Sequence, residues 1–213
     1  MSANLLCITP IDVIIDSIRT CYLTNDASDS GYKDDDLGCM PSISYQVGPK
    51  DQARISQILA SGHESTIEHS LISFKVQCTR GCLQELARHR IGTSFSIQST
   101  RYTLKKILEQ CKTPSDVNKY LYQTKSELLN KLNAAHLFAL KEVCAIDELE
   151  NDTLKYGICE ALLIEGNISF NFRSFRHFLK LRLDKRAHYE IRQLAQDMYD
   201  CIPKSHLLLL EGI

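Results

Sequence analysis

The chain has 213 residues, of which 44% are hydrophobic and 24% charged, and its formal net charge at pH 7 is -1. These values are ordinary for a globular protein with a sizeable core, and the near-zero charge argues against a general nucleic-acid binder. No apolar run reaches the length of a membrane span. The nine cysteines include no C-x-x-C pair, so we expect neither a disulfide framework nor a zinc knuckle, and we predict a cytoplasmic protein.

The first half of the chain contains short periodic segments around one long polar stretch. Pro10 and the apolar residues after it predict a helix from Ile11 to about Tyr22. Residues 24–50 are rich in turn-forming residues, and we interpret this segment as a candidate lid. The remaining patterns predict a helix over 51–60 that ends at Gly62, a strand over 72–78 and a helix over 81–90.

The second half is mainly helical in pattern. Residues 115–145 predict one long amphipathic helix. The patterns that follow predict a helix over 152–163, an extended segment over 164–170, a helix over 171–186 and a last helix that ends near Cys201. Because neither an internal repeat nor a linker interrupts the sequence, we predict a single α+β domain over residues 1–213.

The first candidate site is the triplet Arg88-His89-Arg90, which an eight-residue spacer separates from Ser99 and then Arg101. The spacer contains hydroxyl groups and no acid. Guanidinium groups and hydroxyls suit a phosphate, so the pattern favours a small phosphate-bearing ligand. The alternative is a solvated basic helix end, where the cations offset the helix dipole.

The second candidate site is the basic segment from Asn171 to Arg182. Arg173, His177 and Lys180 share one helical face, whereas Arg182 lies about half a turn out of phase with Arg173. Arg182 is therefore either merely exposed or part of a different site where subunits meet. The segment suggests an anionic ligand, and the alternative is a basic helix that faces water.

The third candidate site is His63-Glu64-Ser65. Position four after His63 is Ile67 rather than a histidine, so we predict no metal site. Ser65 either forms a capping box with Glu68 or contacts a ligand. Elsewhere, no G-x-G-x-x-G opens a helix, and no cysteine lies in a context typical of a nucleophile.

In this order, the three segments resemble the signatures of the flavin-dependent thymidylate synthases. The family pattern R-H-R, a spacer of seven or eight residues and Ser is matched by Arg88-His89-Arg90 and Ser99. The upstream H-E-[ST] element is matched by His63-Glu64-Ser65. The downstream element is matched by Asn171, Arg173, His177, Phe178 and Arg182. The resemblance extends from about residue 10 to about residue 200.

The resemblance implies an α+β fold with a central, mostly antiparallel sheet packed with long helices. It also implies an enzyme, a methyltransferase that converts dUMP to dTMP with 5,10-methylenetetrahydrofolate as carbon donor. FAD in its reduced form supplies the hydride, and NADPH regenerates it. The family needs no enzyme cysteine to attack the uracil ring. A homotetramer with active sites built from several subunits is implied as well.

The resemblance also implies roles for individual residues. The FAD-binding residues would be His63, Ser65, Arg88, His89, Arg90, Asn171, Arg173 and His177. The residues that bind dUMP would be Glu85, Arg88, Ser99, Thr100, Arg101, Lys155 and Arg182. Glu85 stands where the family often has Gln, and Lys155 where it often has Arg. Arg182 would be catalytic, because a fixed cation beside the uracil favours its N3-ionised form. Ser96 and Ile97, in the longer spacer, receive no role.

Two other functions remain open at this stage. One is an FAD and NADPH oxidoreductase that acts on another substrate. The other is a non-catalytic homologue that binds nucleotide at the same arginines without turnover. We expect no nucleic acid and no membrane among the partners, and residues 24–50 are a candidate lid or a loop on the folate side.

Overall fold

The computed structural model describes residues 1–32 and 45–213. Its strands are β1 (Ser2–Ile8), β2 (Gly31–Tyr32), β3 (Tyr45–Gln46), β4 (Ile72–Thr79), β5 (Thr93–Ile97) and β6 (Leu163–Phe170). Its α-helices are α1 (Ile11–Thr20), α2 (Pro49–Ser61), α3 (Arg80–Leu86), α4 (Thr100–Gln110), α5 (Glu127–Asp147), α6 (Asn151–Leu154), α7 (Phe172–Arg182), α8 (Tyr189–Asp200) and α9 (Lys204–Leu207). Within the described ranges, no helix is both long and apolar enough to cross a membrane.

A four-stranded sheet has the order β1-β4-β6-β5, and β2 pairs with β3 in a separate antiparallel ribbon. The two central strands of the larger sheet are antiparallel. The hydroxyls of Ser73 and Ser169 lie 2.7 Å apart near one end of the pair, and the amide of Arg80 donates to the carbonyl of Leu162 beyond the other end. The predicted α+β fold with a mostly antiparallel sheet is thereby confirmed.

The described chain forms two compact units. The first unit comprises Met1–Ser2, Val76–Arg88 and Phe95–Asn167. The second unit comprises Ala3–Lys75, His89–Ser94 and Ile168–Ile213. That residues 1–213 form one domain stays a prediction.

The first unit has a core of small and aliphatic side chains that come from α4, α5, α6 and the segments that connect or follow these helices. Its fully or almost fully buried members are Leu104, Leu108, Cys111, Val117, Leu121, Ala134, Leu137, Leu154 and Leu162. In α4, Leu104 and Leu108 lie one turn apart, so the buried stripe of this helix faces the core while Arg101 and Tyr102 stay exposed.

The second unit has an aromatic core against the inner face of α7. Phe175 and Phe178 recur at helical spacing, and both are buried. The rings of Phe170 and Phe178 have centroids 5.3 Å apart, and those of Phe74 and Phe175 are 5.4 Å apart. Burying this face leaves the opposite face of α7 exposed, and Arg173, His177 and Lys180 lie there, as their shared helical face predicted.

Several predicted elements are confirmed by the structure. The helix after Pro10, the helix that ends at Gly62, the strand over 72–78 and the strand before Asn171 all occur. Gly62 adopts a left-handed conformation with φ of 72°, which explains why α2 ends there. Asn171 caps α7, because its side chain accepts a hydrogen bond from the amide of Ser174.

Other predictions were wrong in their boundaries. The helix predicted over 81–90 ends at Leu86, so the Arg88-His89-Arg90 triplet lies beyond the helix rather than in its last turn. The helix predicted over 115–145 begins only at Glu127, where Ser126 provides the cap. Leu121 instead pairs with Leu162 in an isolated β-bridge, which also contradicts the helix predicted up to Leu163.

The sequence analysis did not predict β1, β2, β3, β5, α4 or α9. Strand β5 occupies most of the spacer, and Ser96 and Ile97 are its last two residues. Of the candidate lid at 24–50, residues 33–44 lie outside the described residues. Its described part includes the short β2–β3 ribbon, in which Gly31 pairs with Gln46 and Tyr32 with Tyr45.

Candidate active site

The loop that follows the arginine-histidine-arginine triplet is anchored on the first turn of α7. The carbonyl of Gly92 accepts a 2.9 Å hydrogen bond from the amide of Asn171. The hydroxyl of Ser174 donates to the carbonyl of Ile91 over 2.7 Å. Gly92 has φ of 62°, a conformation that favours glycine. The first and second sequence motifs therefore meet in the second unit.

The ring of His89 lies against the side chains of α7. Its Nε2 accepts a 2.9 Å hydrogen bond from Nε of Arg182. The ring packs edge-on against Phe178, with centroids 5.1 Å apart, and lies 6.2 Å from the ring of His177. Arg182 is only partly exposed. Because it lies half a turn away from Arg173 on α7, its side chain is directed toward His89 and not toward the exposed face that carries Arg173.

The third motif is joined to the same helix by two ion pairs. Glu68 contacts Arg173 with an oxygen-to-nitrogen distance of 2.5 Å. Glu64 contacts Nε of Arg176 at 3.1 Å. Arg176 is buried and also donates to the carbonyl of Leu209 over 2.5 Å. These contacts hold the His63-Glu64-Ser65 segment beside α7.

His63 and Ser65 are both exposed in this segment. The hydroxyl of Tyr22 lies 3.3 Å from Nδ1 of His63, and the guanidinium of Arg54 stacks 4.6 Å above the Tyr22 ring. Residues Glu64–Ile67 form a 3-10 turn without a side-chain cap, and Glu68 is directed to Arg173. The capping box considered for Ser65 and Glu68 is therefore not formed, which leaves the hydroxyl of Ser65 exposed.

The first unit contains the residues predicted to hold a nucleotide phosphate. Ser99 stands at the N-cap position of α4, and Thr100 and Arg101 begin the helix, where amide groups point outward and favour an anion. Nε and Nη2 of Arg101 donate to the two carboxylate oxygens of Asp152 over 2.5 and 2.8 Å. An open cavity of about 280 Å³ adjoins this pair. Its lining residues are Arg101, Tyr102, Lys105, Glu150, Asn151 and Asp152.

The electrostatics of this cavity centre on Asp152. The hydrogen bond from Arg101 lowers the pKa of Asp152, and Lys155 contributes in the same direction. The same hydrogen bond raises the pKa of Arg101. The charged pair is therefore ionised at neutral pH. Lys155 is close enough to act on Asp152, and it also lies 5.2 Å above the ring of Tyr156.

The remaining predicted residues of the first unit are Glu85 and Arg88. Their charged atoms are 4.0 Å apart, and Arg88 is 76% exposed at its side chain. Arg90, in the second unit, is also exposed. The structure thus distributes the predicted site residues between the units. Those of the first are Glu85, Arg88, Ser99, Thr100, Arg101 and Lys155, and those of the second are His63, Ser65, His89, Arg90, Asn171, Arg173, His177 and Arg182.

Comparisons with known proteins agree with these motifs. The model of the family described as thymidylate synthase complementing protein matches residues 5–206. The flavin-dependent thymidylate synthase of Wolinella succinogenes is 34% identical over 215 residues, which cover 98% of this chain and 97% of the relative. The chain belongs to the flavin-dependent thymidylate synthase family.

Two further comparisons, both with Helicobacter pylori, extend the likeness to structure. A flavin-dependent thymidylate synthase of that organism is 32% identical over 213 residues, covering 95% of this chain and 94% of the relative. A crystal structure of its thymidylate synthase X, with FAD and dUMP, has a TM-score of 0.83 and 30% identity. That likeness covers 99% of this chain and 97% of the other.

The sequence analysis did not predict several contacts that the motif residues make in this member of the flavin-dependent thymidylate synthase family. Ser174 and Gly92 anchor the triplet loop, Glu68 pairs with Arg173, and Asp152 pairs with Arg101. The only sequence signal for Ser174 is its place three residues after the cap Asn171. The two acids pair with arginines 105 and 51 residues away in sequence, which no local pattern reveals. Over residues 1–32 and 45–213, no group of three or more His, Cys, Asp or Glu is placed to hold a metal ion.

Proposed function

We propose that this protein is a flavin-dependent thymidylate synthase that converts dUMP to dTMP. The carbon comes from 5,10-methylenetetrahydrofolate at the oxidation level of a methylene group. A hydride must be added to produce a methyl group, and tetrahydrofolate leaves as the second product. When bound, reduced FAD supplies this hydride, and NADPH restores the reduced form. The protein is thus a methyltransferase with FAD as cofactor and NADPH and the folate as cosubstrates.

The observation that carries the proposal is the near full-length likeness to flavin-dependent thymidylate synthases, one of them crystallised with FAD and dUMP. The three motifs that resemble the family signatures all fall within the matched residues. The alternative functions, an oxidoreductase on another substrate and a non-catalytic homologue, have no specific observation in their favour.

The donor set of the second unit fits the dinucleotide FAD. FAD carries an anionic pyrophosphate and acceptor atoms on its ring system. Arg90 and Arg173 offer exposed guanidinium groups, which suit the pyrophosphate. The ring of His89, in the loop after α3, lies beside the ring of His177 on α7, and both offer ring nitrogens. We assign FAD binding to these residues and to His63, Ser65, Arg88 and Asn171.

We assign the phosphate of dUMP to the start of α4. Ser99 and Thr100 contribute hydroxyls and helix N-terminal amides, and Arg101 and Lys155 contribute positive charge. Arg101 uses Nε and Nη2 for Asp152, which leaves Nη1 and one Nη2 hydrogen as further donors. Glu85 and Arg88 complete the nucleotide contacts in this assignment.

We assign the catalytic role to Arg182. A guanidinium stays charged at all working pH values and cannot act as a general acid or base. Its contribution is electrostatic: placed beside the uracil, it stabilises the negative charge that develops on the ring as the carbon bond forms. No thiolate nucleophile is required, and Cys78 and Cys82 are buried.

The assembly and location of the protein also belong to the proposal. We infer a homotetramer with active sites formed by several subunits, a single domain over residues 1–213, and a cytoplasmic enzyme. Exposed apolar side chains on α5 support assembly, since Leu128 is 80% and Ile146 79% exposed. Sedimentation equilibrium at several protein concentrations measures the subunit number directly.

The test of the function combines two readouts in one anaerobic reaction. Purified protein is incubated with FAD and NADPH, with or without dUMP and 5,10-methylenetetrahydrofolate, and both NADPH oxidation and dTMP are measured. The synthase forms dTMP only when FAD, dUMP and the folate are all present. NADPH oxidation without dTMP would indicate the other oxidoreductase, and nucleotide binding with neither product would indicate the non-catalytic homologue.

A further inference from the structure

Helix α5 carries two apolar stripes on opposite faces. One of them includes the buried residues Ala134 and Leu137 and packs into the core of the first unit. The other is exposed, and its residues follow one another three or four positions apart, which places them on one face about 80° wide, opposite Leu137. The residues of this outer stripe are Leu128, Leu132, Ala135, Ala139, Val143 and Ile146.

The outer stripe exposes more apolar surface than a helix face in contact with water usually does. Leu128 is 80%, Leu132 63% and Ile146 79% exposed, and the stripe extends for about 27 Å along the helix. The exposed charged residues of α5 lie outside the stripe. A continuous apolar surface with a polar rim is typical of an interaction site, and its length suits a second helix.

The order of side-chain sizes along the outer stripe identifies the partner. Two alanines stand in the middle and two large side chains at each end, so the order is the same from both directions. Two copies that run antiparallel therefore place Leu128 opposite Ile146 of the partner subunit. They also place Ala135 opposite Ala139 of the partner subunit. Small residues at the centre let the helices approach closely where they cross, and larger residues fill the gap where the helices diverge.

The charges beside the outer stripe favour the same orientation. Lys131 and Glu142 lie on one flank of α5, at nearly equal distances in sequence from the centre of the stripe. In a two-fold symmetric pair each contact occurs twice, so Lys131 lies next to Glu142 of the partner subunit, and the reverse contact also forms. A parallel pair would place the two lysines side by side. Lys131 contacts Glu127 of its own chain at 2.7 Å, and an ammonium group has donors for a second carboxylate.

We propose that the outer stripe of α5 is a self-association surface, on which a second copy of the chain packs its own outer stripe in antiparallel orientation. The two-fold axis passes between Ala135 and Ala139. The surface follows from the pattern and exposure of α5. The number of subunits that it helps to assemble rests on the proposed homotetramer, of which this contact is one interface.

Engineered cysteines test the orientation of the two helices. Facing residues at a close helix crossing have Cα atoms about 4–6 Å apart, which a disulfide can bridge. Two differently tagged chains, one with Ala135→Cys and one with Ala139→Cys, are co-expressed, oxidised and separated by electrophoresis without reductant. We expect a crosslinked heterodimer. Either variant alone should crosslink little, because equal positions are displaced by about 6 Å along the axis.

Ala145→Cys provides the matched control for the crosslinking. Ala145 is exposed on the same helix but lies outside the outer stripe, so Ala145→Cys co-expressed with Ala139→Cys should give no heterodimer. Wild type is oxidised in parallel, because Cys7 and Cys21 are exposed. Crosslinking of Ala135→Cys to itself would indicate a parallel pair and overturn the proposal. It would also be overturned if the co-expressed stripe variants assembled like the wild type but formed no disulfide.

A substitution within the outer stripe tests whether the surface holds the subunits together. Leu132→Glu leaves the core of the chain intact, but the symmetry places two carboxylates in the apolar contact. In sedimentation equilibrium we expect the dissociation constant of this contact to rise by at least about 100-fold. Ala145→Glu adds the same charge outside the stripe and should change it by less than about twofold. Far-UV circular dichroism verifies that both variants are folded.

A charge reversal keeps the test decisive if Leu132→Glu fails to fold. Glu142→Lys places lysines side by side on the flank and should weaken association about fivefold at low salt. Adding Lys131→Glu to the same chain restores opposite charges and should recover most of the loss. A further loss in the double variant would contradict the antiparallel contact.

Failure of this proposal is distinguishable from failure of the proposed function. If folded Leu132→Glu assembled like the wild type, the outer stripe would not be an interface, and the homotetramer would be built on other surfaces. A monomeric wild type would contradict both the outer-stripe contact and the homotetramer. The reaction is tested separately, by the formation of dTMP.

Discussion

Gly92 is the position at which a single methyl group tests how the arginine-histidine-arginine loop is anchored. Its φ of 62° is costly for a residue with a Cβ, and a Cβ there would collide with the side chains of Asn171 and Ser174. Gly92→Ala therefore displaces the residue that caps α7 and strains the loop at the same time. We expect a loss of both stability and FAD affinity.

The magnitude follows from the two contributions. A left-handed conformation costs a non-glycine residue about 1–2 kcal/mol, and the loss of an asparagine cap costs about 1 kcal/mol. Gly92→Ala should therefore lower the free energy of unfolding by about 2–3 kcal/mol. Urea unfolding followed by far-UV circular dichroism measures this change, and FAD titration of the folded variant reports on the loop itself.

Gly62→Ala is the matched control for stability. Gly62 also has a positive φ, 72°, but an added Cβ there would meet no described atom within 4 Å. It should lose only the backbone contribution of about 1–2 kcal/mol. Equal destabilisation by the two substitutions, with FAD affinity unchanged in Gly92→Ala, would refute the close packing of the loop on α7.

Three further predictions concern charged pairs. Asp51→Asn should cost about 3–5 kcal/mol at pH 7, because buried Arg19 loses its partner. Burial raises the pKa of Asp51, but hydrogen bonds from Ser28, Ser30 and Arg19 outweigh this effect, so the pKa is lowered. The stability that the ionised Asp51 provides is therefore fully present above the unfolded-state pKa of about 4. It is lost as the pH falls through the lower pKa of the folded state. In urea unfolding, the difference between wild type and variant should shrink toward pH 2, and a constant difference would contradict the ionised pair. Arg101→Gln should raise the Michaelis constant for dUMP about tenfold or more with a smaller change in turnover, because one charged phosphate contact is lost, and an unchanged constant would remove Arg101 from the nucleotide site. Glu68→Gln frees Arg173 and should strengthen FAD binding by up to about fivefold at low salt; an effect that does not diminish at high salt would contradict the electrostatic cause.

The sequence predicts best those elements whose periodicity is strong and local. Strand β4 alternates strictly, and α7 carries its phenylalanines at helical spacing. Both elements were therefore predicted, although α7 ends at Arg182 and not at Arg186. The spacer after the triplet was not recognised as a strand, because β5 is only five residues long and rich in hydroxyls. Leu121 was assigned to a helix, although its pairing with Leu162 depends on a contact 41 residues away. Local patterns cannot encode such pairings.

The candidate site also has a part that the sequence predicts and a part that it does not. The motifs identify which residues belong to it, because their chemistry and spacing are specific. They do not identify the partners that orient those residues. Arg182 accompanies His89 from 93 positions away, and Glu68 accompanies Arg173 from 105. Such partners can be identified only from the folded structure, because they are distant in sequence. Their contacts orient the site residues that the motifs predict.

A single anaerobic turnover shows whether reduced FAD supplies the hydride that converts dUMP to dTMP. Protein whose bound FAD has been fully reduced is mixed with dUMP and 5,10-methylenetetrahydrofolate, and the FAD oxidised and the dTMP formed are quantified together. We expect one dTMP for each FAD oxidised, because one hydride converts the methylene carbon to a methyl group. Oxidation of FAD without dTMP, or dTMP formed by protein that lacks FAD, would contradict it.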